Sequence, residues 1–140
     1  MTRPRAATAF RVVIDSGHAN MAPQAAVDLG VLRKEQGDPA GASTAYQLAV
    51  HSGHSDMAPA AAYNLGVLRT EQGDPAGPAA ACQLAIDSGH SDMAPKSAYN
   101  LGVLRAEQGD PTGAAAAFRV AIDSGRPDVA PAARVQLGHL

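Results

Sequence analysis

A chain of 140 residues that is 46% hydrophobic and 17% charged can bury a core and keep a wettable surface, which predicts a single domain over residues 1–140. Its net charge of −2, with no run of Lys or Arg, leaves no electrostatic footprint for a phosphate backbone or an anionic surface, so no nucleic acid and no membrane is expected as a partner. No apolar stretch nears the roughly 18 residues of a membrane span, Met1-Thr2-Arg3-Pro4 lacks the apolar core of a signal peptide, and the lone Cys82 can close no internal disulfide; a cytoplasmic protein is expected.

In chain order, the first predicted element is a helix over 2–17 carrying Phe10, Val13 and Ile14 and stopped at Gly17. A complete two-helix unit follows over 20–53. Asn20 stands as an N-cap, whose side-chain oxygen would take a free backbone N–H. Pro23 falls in the first turn, where a missing N–H costs nothing, and Gly37 ends the helix because a left-handed C′ residue is easiest for glycine. Asp38-Pro39 then caps a second helix with a proline at its first position. Its apolar residues Ala42, Ala45, Tyr46, Ala49 and Val50 recur at the i, i+3, i+4, i+7, i+8 spacing of an amphipathic helix, and Gly53 closes it.

The same grammar returns over 56–89 and 92–125. Asp56 and Asp92 repeat the first cap, Pro59 and Pro95 the first-turn proline, and Gly73-Asp74-Pro75 and Gly109-Asp110-Pro111 the hinge. Asn64-Leu65-Gly66-Val67-Leu68-Arg69 is copied at Asn100 to Arg105, with close relatives at Asp28 to Arg33 and Gln136 to Leu140. Gly30, Gly66, Gly102 and Gly138 therefore step by thirty-six residues, a period that marks stacked units whose apolar faces cover one another. A last helix is predicted over 128–140. Period-two alternation is absent and β-branched residues are few, so the chain is expected to be all-α, an α-solenoid of antiparallel helix hairpins with about eight helices.

The middle unit departs from the others. Pro78 replaces Ala42 and Ala114, and Cys82 replaces the aromatics Tyr46 and Phe118. Pro78 would fall near the fourth helical position and remove an early hydrogen bond, so this second helix is expected to be the least regular. Cys82, on the apolar stripe, reads as an inert core thiol.

These residues resemble the tetratricopeptide repeat: Leu29-Gly30, Gly37-Asp38, Ala42, Tyr46 and Ala49, then Leu101-Gly102, Gly109-Asp110, Ala114, Phe118 and Ala121, with Leu65-Gly66, Gly73-Asp74 and Ala85 between. The period is two residues longer than that family's about 34, a length also similar to Sel1-like repeats. Ala26, Ala62 and Ala98 stand where the family carries Trp, and Arg33, Arg69 and Arg105 where it carries Tyr, which implies a thin core. The resemblance implies a right-handed superhelix and a non-enzymatic scaffold that binds a protein or peptide along the groove of its first helices. The positions it assigns there include Val27, Val31, Tyr63, Asn64, Val67, Lys96, Tyr99, Asn100 and Val103. Amides can bond an extended backbone while Tyr and Val supply area. Val27 and Tyr63 at a Lys position, and Val31 at an Asn position, disfavour the carboxylate clamp of chaperone-tail binders.

No cofactor, metal or catalytic set is expected. His18, His54 and His90 share a register with Arg126, but successive units lie about 10 Å apart, too far for one ion; each His reads as a polar group at the negative end of the preceding helix. Ser16, Ser52, Ser88 and Ser124 read as helix-end residues, and Arg33, Arg69 and Arg105 as a surface ladder with acids such as Glu35 and Glu71. The chain opens with a second-type helix and closes with a first-type helix. Phe10, Val13 and Ile14 at one end and Val129, Leu137 and Leu140 at the other are therefore expected to be partly open, which offers self-association into a homo-oligomer as the alternative role.

Overall fold

A computed structural model describes residues 3–74 and 76–140. Thr2, the first residue of the helix expected over 2–17, and Pro75, the proline of the second hinge, lie outside the described residues. Among the rest there are eight helices and no strand: α1 (Arg3–Asp15), α2 (Met21–Glu35), α3 (Pro39–His51), α4 (Met57–Glu71), α5 (Gly77–Asp87), α6 (Met93–Glu107), α7 (Pro111–Asp123) and α8 (Ala130–Gly138). Each helix packs on the next, and α2 also touches α4, and α4 touches α6. This is the all-α repeat solenoid, and none of its helices is long and apolar enough to cross a membrane.

Helix ends fall where the punctuation places them. Gly37 and Gly53, at φ 75° and 69°, hold the left-handed conformation that stops α2 and α3. Asp38 caps α3 by accepting from the Gly41 amide at 2.9 Å, and Asp110 caps α7 by accepting from Gly113 at 2.9 Å. In the middle unit Asp74 accepts from both Ala76 and Gly77, at 3.1 and 3.0 Å, and these two amides hold its carboxyl below the usual carboxylate range. There α5 starts at Gly77 and runs 11 residues against 13 for α3 and α7. The irregularity expected from Pro78 thus takes the form of a later start. Pro78 sits in the first turn, where its missing N–H removes no helical bond.

The caps of the first helices differ from expectation. Neither Asn20, Asp56 nor Asp92 bonds its side chain to its own helix. The histidine two residues earlier does that work instead. His54 Nδ1 accepts from the amides of Asp56 and Met57 at 3.2 and 3.1 Å, and His90 Nδ1 accepts from Asp92 and Met93 at 3.2 Å each. His18 accepts from Asn20 and Met21 in the same way. The rings therefore serve the positive start of the next helix rather than the negative end of the one before. With Nδ1 accepting, Nε2 carries the proton and reaches back one unit, to Asn20 Oδ1 from His54 and to Asp56 Oδ1 from His90, 3.2 Å each. At the last junction Arg126 replaces histidine, pairs with Asp92 and Asp128, and leaves α8 to begin at Ala130. The serines of this register each donate to a carbonyl three residues back and accept the amide two residues on, as in Ser52 with Ala49 and His54.

The core is built from alanine with a few large residues. Ala42, Ala49, Ala61, Ala81, Ala85, Ala98 and Ala121 are essentially inaccessible, while Leu29, Leu65 and Leu101 supply the bulk. Tyr46 and Phe118, 2% and 0% exposed, lie on Gly30 and Gly102: a Cβ at either glycine would fall 2.9 Å from Tyr46 Cζ or 2.8 Å from Phe118 Cζ. At Gly66 the nearest atom to the same Cβ would be Cys82 Sγ, at 3.2 Å, with Ala81 Cβ and Cys82 N at 3.7 Å. Ser97 is fully buried and its hydroxyl has no hydrogen-bond partner among the described residues, where the equivalent Ala25, Ala61 and Ala133 carry no hydroxyl.

Two stability outcomes are expected from urea unfolding followed by circular dichroism. Gly30→Ala and Gly102→Ala lower stability by about 2 kcal/mol through the displaced rings, whereas Gly66→Ala stays within about 1 kcal/mol of wild type because helix propensity offsets a mild contact. His54→Ala costs about 1–2 kcal/mol, since two amides and one inter-unit bond lose their partner.

Candidate functional site

Contacts between α2 and α4 and between α4 and α6, with none of comparable extent among α3, α5 and α7, put the first helix of each unit on the inner side of the stack. Along each of these helices the register Tyr63, Val67, Glu71 advances by four residues and so keeps to one face. Val31 and Glu35 on α2 and Tyr99, Val103 and Glu107 on α6 are the matching positions. Val31 is 41% exposed, while Tyr63, Asn64, Val67, Tyr99, Asn100 and Val103 are half-buried.

Two hollows open between these helices. The first, about 410 Å³, is bounded by Val31, Lys34, Glu35, Asn64 and Val67, with Tyr46 at its floor. The second, about 460 Å³, lies between Tyr63 and Val67 on α4 and Tyr99, Asn100 and Val103 on α6. Gly66 and Cys82 form its floor, and Thr70, Glu71, Leu104 and Glu107 its far rim. Asn64 and Asn100 form no side-chain hydrogen bond among the described residues, so both carboxamides keep their donors and acceptors available. Tyr99 leans on Phe118 with ring centroids 5.9 Å apart and planes tilted by 56°.

Two of the positions expected in the groove do not lie in these hollows. Val27, 9% exposed, joins Ala26, Ala61, Leu65 and Leu68 in the core between α2 and α4. Lys96 stands at the start of α6, where its charge adds a small part to the lowering of the Asp128 pKa, which is due first to the hydrogen bond from Arg126. The rim residues Lys34, Glu71 and Glu107 were not expected in the groove, although the four-residue step beyond Val67 and Val103 points to the two glutamates. Lys34 bridges the rim to Glu71 at 3.1 Å. The arginines, expected to pair with such acids, turn to their own hairpins: Arg69 to the Gly77 carbonyl at 3.4 Å and Arg105 to Asp110 at 3.5 Å. Burial first, then the carboxylates of Glu71 and Glu35, push the Tyr46 phenol up.

The residues expected to be partly open at the ends are half-buried or exposed, with Val129 the exception. Phe10 and Ile14 pack against Ala7, Leu29 and Ala45, and Leu137 packs against the cluster of Ala98, Phe118 and Ala133. Val13 is half-buried. Val129 is only 6% exposed, because the turn before α8 folds it inward. Leu140 alone of the six is exposed, at 47%. Among the described residues no three His, Cys, Asp or Glu side chains gather as a metal site requires.

Cys82 is 4% exposed, and burial pushes its thiol up to about 11. Two units above the usual value lower the thiolate fraction about a hundredfold at neutral pH. Iodoacetamide at pH 8 should therefore modify the folded chain about a hundred times more slowly than the urea-unfolded chain, followed by mass spectrometry.

The geometry agrees with what the chain is similar to. Residues 27–97 and 90–129 match the family model of the tetratricopeptide repeat. The Sel1-like likeness suggested by the repeat length forms no part of that match. No curated protein matches the chain. Repeats of the matched kind are generally protein-interaction modules. With hairpins, ring-on-glycine packing and family match in agreement over most of its length, the chain belongs to the tetratricopeptide repeat family.

Proposed function

We propose that this protein is a non-enzymatic scaffold that holds an extended segment of another protein along the inner face of α2, α4 and α6. The observation that carries this reading is the pair of adjoining hollows, about 410 and 460 Å³, which share Val67 and each present an asparagine whose carboxamide has no hydrogen-bond partner among the described residues. An extended backbone offers an N–H and a C=O at every residue, and a carboxamide answers both. Val31, Val67 and Val103 supply apolar area beside it, and Tyr63 and Tyr99 add rigid aromatic surface that costs little entropy to order. A chain lying across the helices would meet the two hollows in succession, since they share Val67. Tandem tetratricopeptide units generally serve protein interaction, which supports the same reading.

The test is affinity capture from the native cell with wild-type chain and with the combined Tyr63→Ala, Asn64→Ala and Asn100→Ala variant, both shown folded by circular dichroism. Partners held by the inner face should be lost from the triple variant, by about tenfold or more in recovered amount. Equal recovery of every partner removes the groove from consideration.

A further inference from the structure

Resting on the groove reading, we propose that the second hollow is a socket for one aromatic side chain of the bound segment, and that basic residues flank that side chain. The socket differs from the first hollow at the ring position of its hairpin. In the first unit Tyr46 covers Gly30 and in the third Phe118 covers Gly102, each so closely that no Cβ fits. In the second unit Cys82 occupies the ring position, and Gly66 comes to the wall of the hollow, whereas Gly30 is hidden from the first hollow by Tyr46. The α4–α5 hairpin is thus one ring short, and the space opens toward the inner face between Tyr63 and Tyr99. Walls of this kind favour an aromatic guest through edge and face contacts, beyond what burial alone provides.

The charge of the rim selects the neighbours of that guest. Glu71 and Glu107, the last residues of α4 and α6, both border the hollow, and no cationic residue does. The negative ends of the two helix dipoles fall at the same place. Lys34 offsets Glu71 in part, which leaves Glu107 as the stronger attraction for a Lys or Arg on the guest. Asn100, beside the hollow, can bond the backbone at the anchoring residue.

The socket is closed by Cys82→Phe, which restores the ring found in the third unit and leaves Tyr63, Asn64, Tyr99 and Asn100 untouched; Cys82→Leu is a second variant of smaller bulk. The probes are short synthetic peptides with a central Phe or Ala, flanked by lysines or by glutamates, titrated into the 140-residue chain by fluorescence anisotropy and amide NMR. The lysine-flanked Phe peptide should bind and shift the amides of Gly66 and Cys82. Its affinity should fall about tenfold or more when Phe is changed to Ala, when the lysines become glutamates, or when Cys82→Phe or Cys82→Leu fills the space. Both variants should remain folded and at least as stable as wild type. Unchanged affinity in the folded Cys82 variants, or equal affinity for the Phe and Ala peptides, overturns the socket. If the Cys82 variants still retain every native partner that the Tyr63, Asn64 and Asn100 triple variant loses, the groove reading stands and the socket alone is wrong.

Discussion

An aromatic ring packed closely against a glycine sets the distance between paired helices here, at Tyr46 against Gly30 and Phe118 against Gly102. With aromatics at only 4% of the chain, these two contacts carry a large share of the hairpin packing. Alanine fills what remains, because helices brought this close have no room for larger side chains between them. The leucines at 29, 65 and 101 then serve as the bulky residues that join one hairpin to the next. The second hairpin meets the same constraint with sulfur in place of a ring, and so its inner wall is the one that departs from its neighbours.

Between units the histidine bridge has a comparable role at smaller scale. One ring closes the first turn of its own helix through Nδ1 and holds the preceding unit through Nε2, so at α4 and α6 the helix start and its tie to the unit before are made by the same side chain. Tyr63 and Tyr99 stand on either side of one hollow, on α4 and α6, the two helices whose starts the His90 bridge joins. Where arginine replaces histidine, α8 begins later and Val129 is drawn inward.

Helix limits were legible in the sequence because each is written in residues with a single strong local preference, glycine for a left-handed stop and Asp-Pro for a start. The lining of the two hollows was legible through the resemblance, which points to Val31, Tyr63, Asn64, Val67, Tyr99, Asn100 and Val103 by their place after the repeated Leu-Gly landmark. Val27 instead is buried in one cluster with Ala26, Ala61, Leu65 and Leu68 between α2 and α4, and only packing reveals that closeness. The histidines were misread because periodicity says nothing of which way a loop side chain turns. A ring two residues before Asp56 could equally have faced the helix it follows. The acids at the rim were hidden by their resemblance to ordinary solvated helix ends.

The histidine bridge has one more consequence. Because His54 takes Asn20 and His90 takes Asp56 in the same geometry, the junction does not distinguish which unit stands behind it. A copied thirty-six-residue block inserted in register would find its acceptor already in place on one side and offer a fresh one on the other. Such a fold can lengthen by tandem duplication of its gene segment without inventing a new interface, and each added block would bring either a filled wall or an open one according to a single codon.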